Sequence, residues 1–158
     1  MSERILKALM QLFAIVAKVN LNDDEIRADQ SSRLIVKLFL QQDLPSELID
    51  KYLKIFDEFI KERHSSTRKK DGTRKRTSVN SVKVLRICTQ INEELEQRQK
   101  VIVLIRILEF IFADPEHSEK ELEFAATVAD TFNIESKEYE EIFHFVESAS
   151  KKIFEQEN

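Results

Sequence analysis

Apolar residues recur every three or four positions along most of the chain, a spacing that places them on one face of an α-helix. Near the amino terminus, Ile5, Leu9, Leu12, Phe13 and Val16 follow this spacing. Short polar patches interrupt the pattern at points where helices are expected to end or to be capped. The pattern predicts seven helices, at about 2–18, 24–42, 46–63, 84–95, 98–113, from 118 onward, and from 136 to about 153.

The fifth predicted helix is apolar on nearly every side, so we expect the other helices to surround it at the centre of the core. Its apolar run, 101–112, also contains Arg106 and Glu109 and is far shorter than the about 20 residues that a membrane span needs. Lys7 and Gln11 interrupt the first apolar stretch, which favours an amphipathic helix over a signal peptide. The pattern therefore predicts a cytoplasmic protein that is not transmembrane.

The start of the sixth helix carries a capping box. Ser118 is followed three residues later by Glu121, and each side chain can bond a free amide of the first turn. The four residues Asn133-Ile134-Glu135-Ser136 are expected to end this helix and to cap the seventh.

Residues 64–81 have almost no apolar side chains and include Gly72, the one glycine of the sequence. Such a polar stretch between two periodic segments predicts an exposed connection. We expect one helical domain over 1–158, with a basic, flexible connection at about 64–81.

The composition narrows the fold class and the chemistry. One Gly and two Pro in 158 residues are too few for the repeated turns of an all-β fold and for the glycine-rich phosphate cradles of a P-loop or Rossmann domain. With 42% hydrophobic residues the chain can form a core, and it is predicted to be all-α. The single cysteine, Cys88, lies in a helical apolar pattern and is interpreted as a buried small side chain.

The two parts of the sequence share an order of features. In each, an apolar helix leads into an acidic turn, a medium helix, a short turn that ends in serine, and an aromatic-rich helix. The serine turns are 43–46 and 133–136. This order indicates a duplication of one helical unit.

The two acidic turns resemble a motif of the TerB-like tellurite-resistance family and its co-chaperone relatives. Ala17-Lys18-Val19-Asn20 followed by Asp24-Glu25, and Ala113-Asp114 followed by Ser118-Glu119-Lys120-Glu121-Leu122, are similar to the family's Ala-Asp-Gly turn and the Ser-x-x-Glu that follows it. Pro115 replaces the glycine of the second turn, and Asn20 stands where the first turn usually has Asp. The resemblance covers most of the chain and implies a seven-helix bundle of two pseudo-symmetric halves around a buried central helix.

The resemblance also implies a function. In the family the acidic residues of the turn are associated with metal, which nominates Asp114 and Glu121 as ligands of a divalent cation. The family implies protein partners in stress-response or membrane-associated complexes, and its domains are often fused to others, including ATP-binding cassettes. The chain is therefore expected to be a cation-sensing interaction module, with the N-terminal regulatory domain of a longer ABC-type ATP-binding protein as an alternative.

The residues themselves offer little catalytic chemistry. Counted as EF-hand loops, both acidic turns lack the glycine at position six and the glutamate at position twelve. The three histidines have no metal-site spacing, although His117 lies near Asp114 and Glu121. The sequence also lacks a nucleophile elbow, so we expect a protein that is not an enzyme.

Positive charge is concentrated in one segment. Residues 61–76 contain eight Lys or Arg and two acids, whereas the whole chain has a net charge of −4. This segment predicts an alternative function, the binding of nucleic acid or of an anionic membrane surface. A solvated linker is the favoured interpretation, because short basic tracts are common. Docking on acidic residues of the same chain or of a second copy is a further alternative. The candidate anion-binding residues are Arg68, Lys69, Lys70, Arg74, Lys75 and Arg76.

Overall fold

The computed structural model describes residues 1–22, 25–68 and 81–157, and side chains only outside 20–26, 64–81 and 153–158. The described residues form seven helices, as predicted, and one short β-hairpin. The elements are α1 (Glu3–Val16), β1 (Val19–Asn22), β2 (Glu25–Ala28), α2 (Gln30–Gln41), α3 (Ser46–Arg68), α4 (Ser81–Glu94), α5 (Gln97–Phe112), α6 (Glu119–Thr131) and α7 (Ser136–Glu157).

Helix α1 begins at a serine cap and is almost fully buried along one side. The Ser2 hydroxyl accepts a hydrogen bond from the Ile5 amide, which satisfies a free donor of the first turn. Leu9, Leu12 and Phe13 are completely buried, and α1 packs against α3, α4 and α5. Helix α1 therefore lies at the centre of the bundle.

The hairpin overturns part of the second predicted helix. Strands β1 and β2 pair antiparallel, with Asn22 opposite Glu25, so residues 25–28 are strand and not helix. From Glu25 to Ala28 polar and apolar residues alternate, which is the period of a strand. Helix α2 starts later, where the Asp29 carboxylate accepts a hydrogen bond of 2.8 Å from the Ser32 amide.

Helix α3 continues five residues beyond its predicted end at Arg63. It runs parallel to α1, since Lys51 Nζ lies 3.2 Å from Glu3 Oε1 near one end and Arg63 contacts the Ala14 carbonyl near the other. The basic connection predicted at 64–81 therefore starts later than expected. Its remaining part, 69–80, lies outside the described residues, and its flexibility stays a prediction.

The central position predicted for α5 is shared with α1. Val103, Leu104 and Ile107 of α5 are completely buried, but Arg106 and Glu109 on its other side are half-buried. Phe13 of α1 joins α2 to α5 in the core, because its ring lies 5.2 Å from the ring of Phe39 in α2 and 5.5 Å from that of Phe110 in α5.

The turn between α6 and α7 forms as predicted. Asn133 has a positive φ of 58°, a conformation that asparagine tolerates better than most residues. The amides of Asn133 and Ile134 donate back to the carbonyls of Asp130 and Ala129, which closes the end of α6.

In the described part of the chain, no helix combines the length and the apolar character of a membrane span.

Candidate functional site

The second acidic turn connects α5 to α6 and is closed by hydrogen bonds at both ends. The Asp114 carboxylate accepts a hydrogen bond of 2.9 Å from the Glu116 amide. The predicted capping box is confirmed, because the Ser118 hydroxyl accepts from the Glu121 amide at 3.4 Å and the Glu121 carboxylate accepts from the Ser118 amide at 3.3 Å. Both candidate metal ligands thus hold their own turn in place.

Asp114 also faces the turn at the end of α1. Lys18 Nζ lies 3.8 Å from Asp114 Oδ1, with the lysine side chain half exposed and the aspartate side chain a quarter exposed. Lys18 follows Ala17, the C-cap of α1, just as Asp114 follows Ala113, the C-cap of α5. The two turns that resemble each other in sequence are therefore neighbours in the fold, and Lys18 of one forms an ion pair with Asp114 of the other.

Glu121 is close to a second cation from the first half of the chain. The Arg63 guanidinium donates a hydrogen bond of 2.9 Å to the carbonyl of Ala14, near the end of α1. Burial lowers the pKa of Arg63, and the charge of Glu121 acts in the opposite direction by favouring the protonated guanidinium. Arg63 therefore links α3 to α1 and acts electrostatically on α6.

His117 does not join the carboxylates. Its Nδ1 lies 2.9 Å from the carbonyl oxygen of Asp114, to which a protonated Nδ1 donates, and its ring stands edge-on to Phe112 at 5.3 Å. The histidine therefore bonds the backbone of the turn and packs on the end of α5. The three residues that lie close together in sequence do not converge on one point.

The two candidate metal ligands already have partners in this arrangement. The carboxylates of Asp114 and Glu121 accept hydrogen bonds from amides and face the cations Lys18 and Arg63. A metal ion would have to compete with both cations. Among the side chains that the structure describes, no group of three or more His, Cys, Asp or Glu could hold a metal. Asn20 lies in β1, and its side chain is not among those described.

The candidate anion-binding residues cannot be placed from the structure. Lys69, Lys70, Arg74, Lys75 and Arg76 lie outside the described residues, and Arg68 is described only as the last backbone position of α3. Their role stays a prediction. Loss of binding to DNA, RNA or acidic vesicles after neutralisation of Arg68, Lys69 and Lys70 would support it, and unchanged binding would refute it.

Other groups with shifted pKa values lie on different helices. Cys88 is completely buried, as predicted, and burial raises the pKa of its thiol to about 12, so it is a poor nucleophile. Burial also raises the pKa of Glu109, although the charge of Arg106 opposes this shift. A shallow groove of about 450 Å³ lies between α1, α3 and α4 and contains neither group.

Sequence reasoning identified the acidic partners of this junction and missed the basic ones. Lys18 lies in the first acidic turn, and its position directly after the helix cap, equivalent to that of Asp114, is the sequence signal for this contact. Arg63 was counted as part of the basic segment and not as a link between helices. Comparison with protein-family models, with curated proteins and with solved structures finds no match to this chain.

Proposed function

We propose that this chain is a non-catalytic, TerB-like helical module that acts by binding another protein chain. The observation that carries the proposal is the exposure of Phe145. This aromatic side chain on α7 is 71% exposed, the largest exposure among the described large hydrophobic side chains. Aromatic residues are enriched at protein contact surfaces, since their burial removes a large apolar area from water.

The packing of the helices supports the TerB-like part of the proposal. Helix α1 packs extensively on α3, and α5 packs extensively on α7, so the first helix of each half meets the aromatic-rich helix of the same half. The caps Ala17 and Ala113 are followed by the two residues that form the ion pair between the halves. A duplication of one helical unit accounts for both features.

The positions of the groups with shifted pKa values support the non-catalytic part. Acid–base catalysis requires a titratable group with a suitable pKa in a cleft where substrate can reach it. The described groups with pKa shifts caused mainly by burial are Arg63, Cys88, Glu109 and Tyr139, on four different helices. None of them lines the groove between α1, α3 and α4.

Site-specific photo-crosslinking in the source cells tests the interaction. A photoreactive phenylalanine analogue at position 145 is expected to give a discrete adduct with a polypeptide. The same analogue at Glu58, an exposed position on α3, is the matched control and is expected to give none. If positions 145, 82 and 34, which all carry exposed apolar side chains, give no adduct above the Glu58 background, the interaction function is refuted.

The hypothesis that Asp114 and Glu121 sense a cation has a test of its own. Because Lys18 and Arg63 already face these carboxylates, we expect calorimetric titration with Ca²⁺, Mn²⁺ or Zn²⁺ to give no binding heat. Wild type and Asp114→Ala should then give the same trace. Saturable heat that Asp114→Ala removes would instead support the cation-sensing role.

A further inference from the structure

Two exposed helix faces combine apolar side chains with charges of opposite sign. The first, which we name the α4 face, consists of Val82, Lys83, Leu85 and Arg86. Val82 and Leu85 are 62% and 45% exposed, and the two cations are exposed as well. Positions 82, 85 and 86 are three and four residues apart, so they share one side of the helix, and Lys83 lies at its edge.

The second surface, which we name the α7 face, consists of Glu138, Glu141 and Phe145. The spacing of three and four residues places them on one side of α7, and all three are exposed. An exposed phenylalanine beside two carboxylates is suited to a partner that supplies aliphatic side chains and cations. The α4 face has this composition.

The longer stretches of sequence around the two faces also carry opposite charge. Residues 61–86 contain ten Lys or Arg and two acids, whereas residues 116–147 contain ten acids and two Lys. Opposite fields of this kind steer two molecules together and favour one orientation. Helix α4 packs mainly on α1 and α6, and α7 packs mainly on α5, so each copy offers both faces on different helices.

We infer that the α4 face of one chain binds the α7 face of a second copy. The inference rests on the proposed interaction function and names the partner. The contact can repeat head to tail, with each copy using its two faces on different neighbours, or it can close as a reciprocal pair that contains two such contacts. In either arrangement association is expected to increase with concentration and to weaken with salt.

A polyanion is a less suitable occupant. DNA, RNA or an anionic membrane would complement the cations of the α4 face, but it would not pair with Glu138 and Glu141 and would leave Phe145 unexplained. A second copy accounts for both faces at once.

Sedimentation velocity of the purified chain tests the inference. At low salt the mean mass should increase with concentration, and at high salt it should return to that of one chain. Phe145→Ser alone, or Val82→Ser with Leu85→Ser, should each abolish the increase. Leu34→Ser is the matched control, because Leu34 is 54% exposed on α2, and it should leave association unchanged. Thermal unfolding of each variant confirms that it is folded.

Mixing these variants gives the sharpest result. Phe145→Ser retains an intact α4 face and the double serine variant an intact α7 face, so an equimolar mixture should form one-to-one pairs that do not grow further. Reversing all four charges, with Lys83→Glu, Arg86→Glu, Glu138→Lys and Glu141→Lys in one chain, should restore association. Reversal of only one face should prevent it.

Several outcomes would overturn the inference. These are a monomer at every concentration at low salt, an association that Leu34→Ser reduces as much as Phe145→Ser, or growth beyond pairs in the mixture. Binding to anionic vesicles or duplex DNA by a chain that stays monomeric would overturn it in favour of a polyanion. A monomeric chain that still crosslinks through position 145 to a different polypeptide would refute self-association and leave the proposed function standing.

Discussion

The turns that follow α1 and α5 begin alike in sequence and differ in structure. After α1 the backbone turns at once to an extended conformation, with ψ of 139° at Ala17, and enters strand β1. After α5 it stays in the helical region, with ψ of −22° at Ala113, and closes a tight turn before Ser118. The first connection therefore forms a hairpin of two strands, and the second forms a capped helical turn.

The difference shows what each turn contributes to the junction between the halves. The hairpin presents Lys18 and the tight turn presents Asp114, so the two meet with opposite charge. Arg63 brings a second cation from α3 to the neighbourhood of Glu121. Two turns that both presented carboxylates would repel each other, whereas Lys18 and Asp114 attract each other.

The largest effect is expected where the core spans both halves. Phe13→Ala removes a completely buried ring that contacts Phe39 and Phe110, and it should lower the free energy of unfolding by about 3–5 kcal/mol. Urea denaturation followed by circular dichroism measures this loss. Phe145→Ala, which truncates an exposed ring, is the control and should change stability little.

The same experiment tests whether the two halves are one cooperative unit. Because Phe13 packs on both, the variant should still unfold in a single transition. Two separate transitions, or a loss close to that of the Phe145→Ala control, would contradict a core shared between the halves.

A smaller loss is expected from the link that Arg63 makes at the end of α1. Arg63→Met keeps much of the side-chain volume but leaves the Ala14 carbonyl without its guanidinium donor, so we expect a loss of about 1–3 kcal/mol. Lys61→Met, an exposed cation two residues earlier in α3, is the matched control and should have almost no effect. Equal losses in the two variants would show that the link adds no stability beyond that of a surface charge.

The sequence predicted the helices well because their signals are local. The capping box at Ser118 and the turn at Asn133 depend on residues within a few positions of each other, and both formed as predicted. The hairpin was missed because Ile26 fits a helical spacing with Leu34 as well as a strand alternation with Ala28. Pairing with β1 decides between the two.

The site was predicted only in part, for a different reason. Asp114 and Glu121 were nominated because the acidic turn and the capping box after it resemble a family motif. Their cationic neighbours come from distant parts of the chain, and the approach of Lys18 and Arg63 depends on how α1, α3 and α5 pack. Similarly, the exposure of Phe145 cannot be predicted from a helical pattern in which Phe143 and Val146 are also apolar.

The caps that follow the two connections should differ in strength. Asp29 accepts from the Ser32 amide at 2.8 Å and from the Ser31 hydroxyl at 2.9 Å, whereas Ser118 accepts from the Glu121 amide at 3.4 Å. We therefore expect Asp29→Ala to cost about 1–2 kcal/mol and Ser118→Ala about 0.5–1 kcal/mol in urea denaturation. A larger loss for Ser118→Ala than for Asp29→Ala would mean that the cap of α6 is stronger than the cap of α2.

The smallest effect is expected at the ion pair between the turns. Lys18 is half exposed and 3.8 Å from Asp114, so water and salt screen the pair, and a double-mutant cycle with Lys18→Met and Asp114→Asn should give a coupling of about 0.2–1 kcal/mol. This coupling should shrink at high salt, because screening weakens attraction between exposed charges. Added Ca²⁺ or Mn²⁺ should not change the melting temperature of the wild type. A coupling of zero at low salt would show that Lys18 and Asp114 do not attract each other measurably. A higher melting temperature of the wild type with divalent cations would show that Lys18 does not neutralise Asp114.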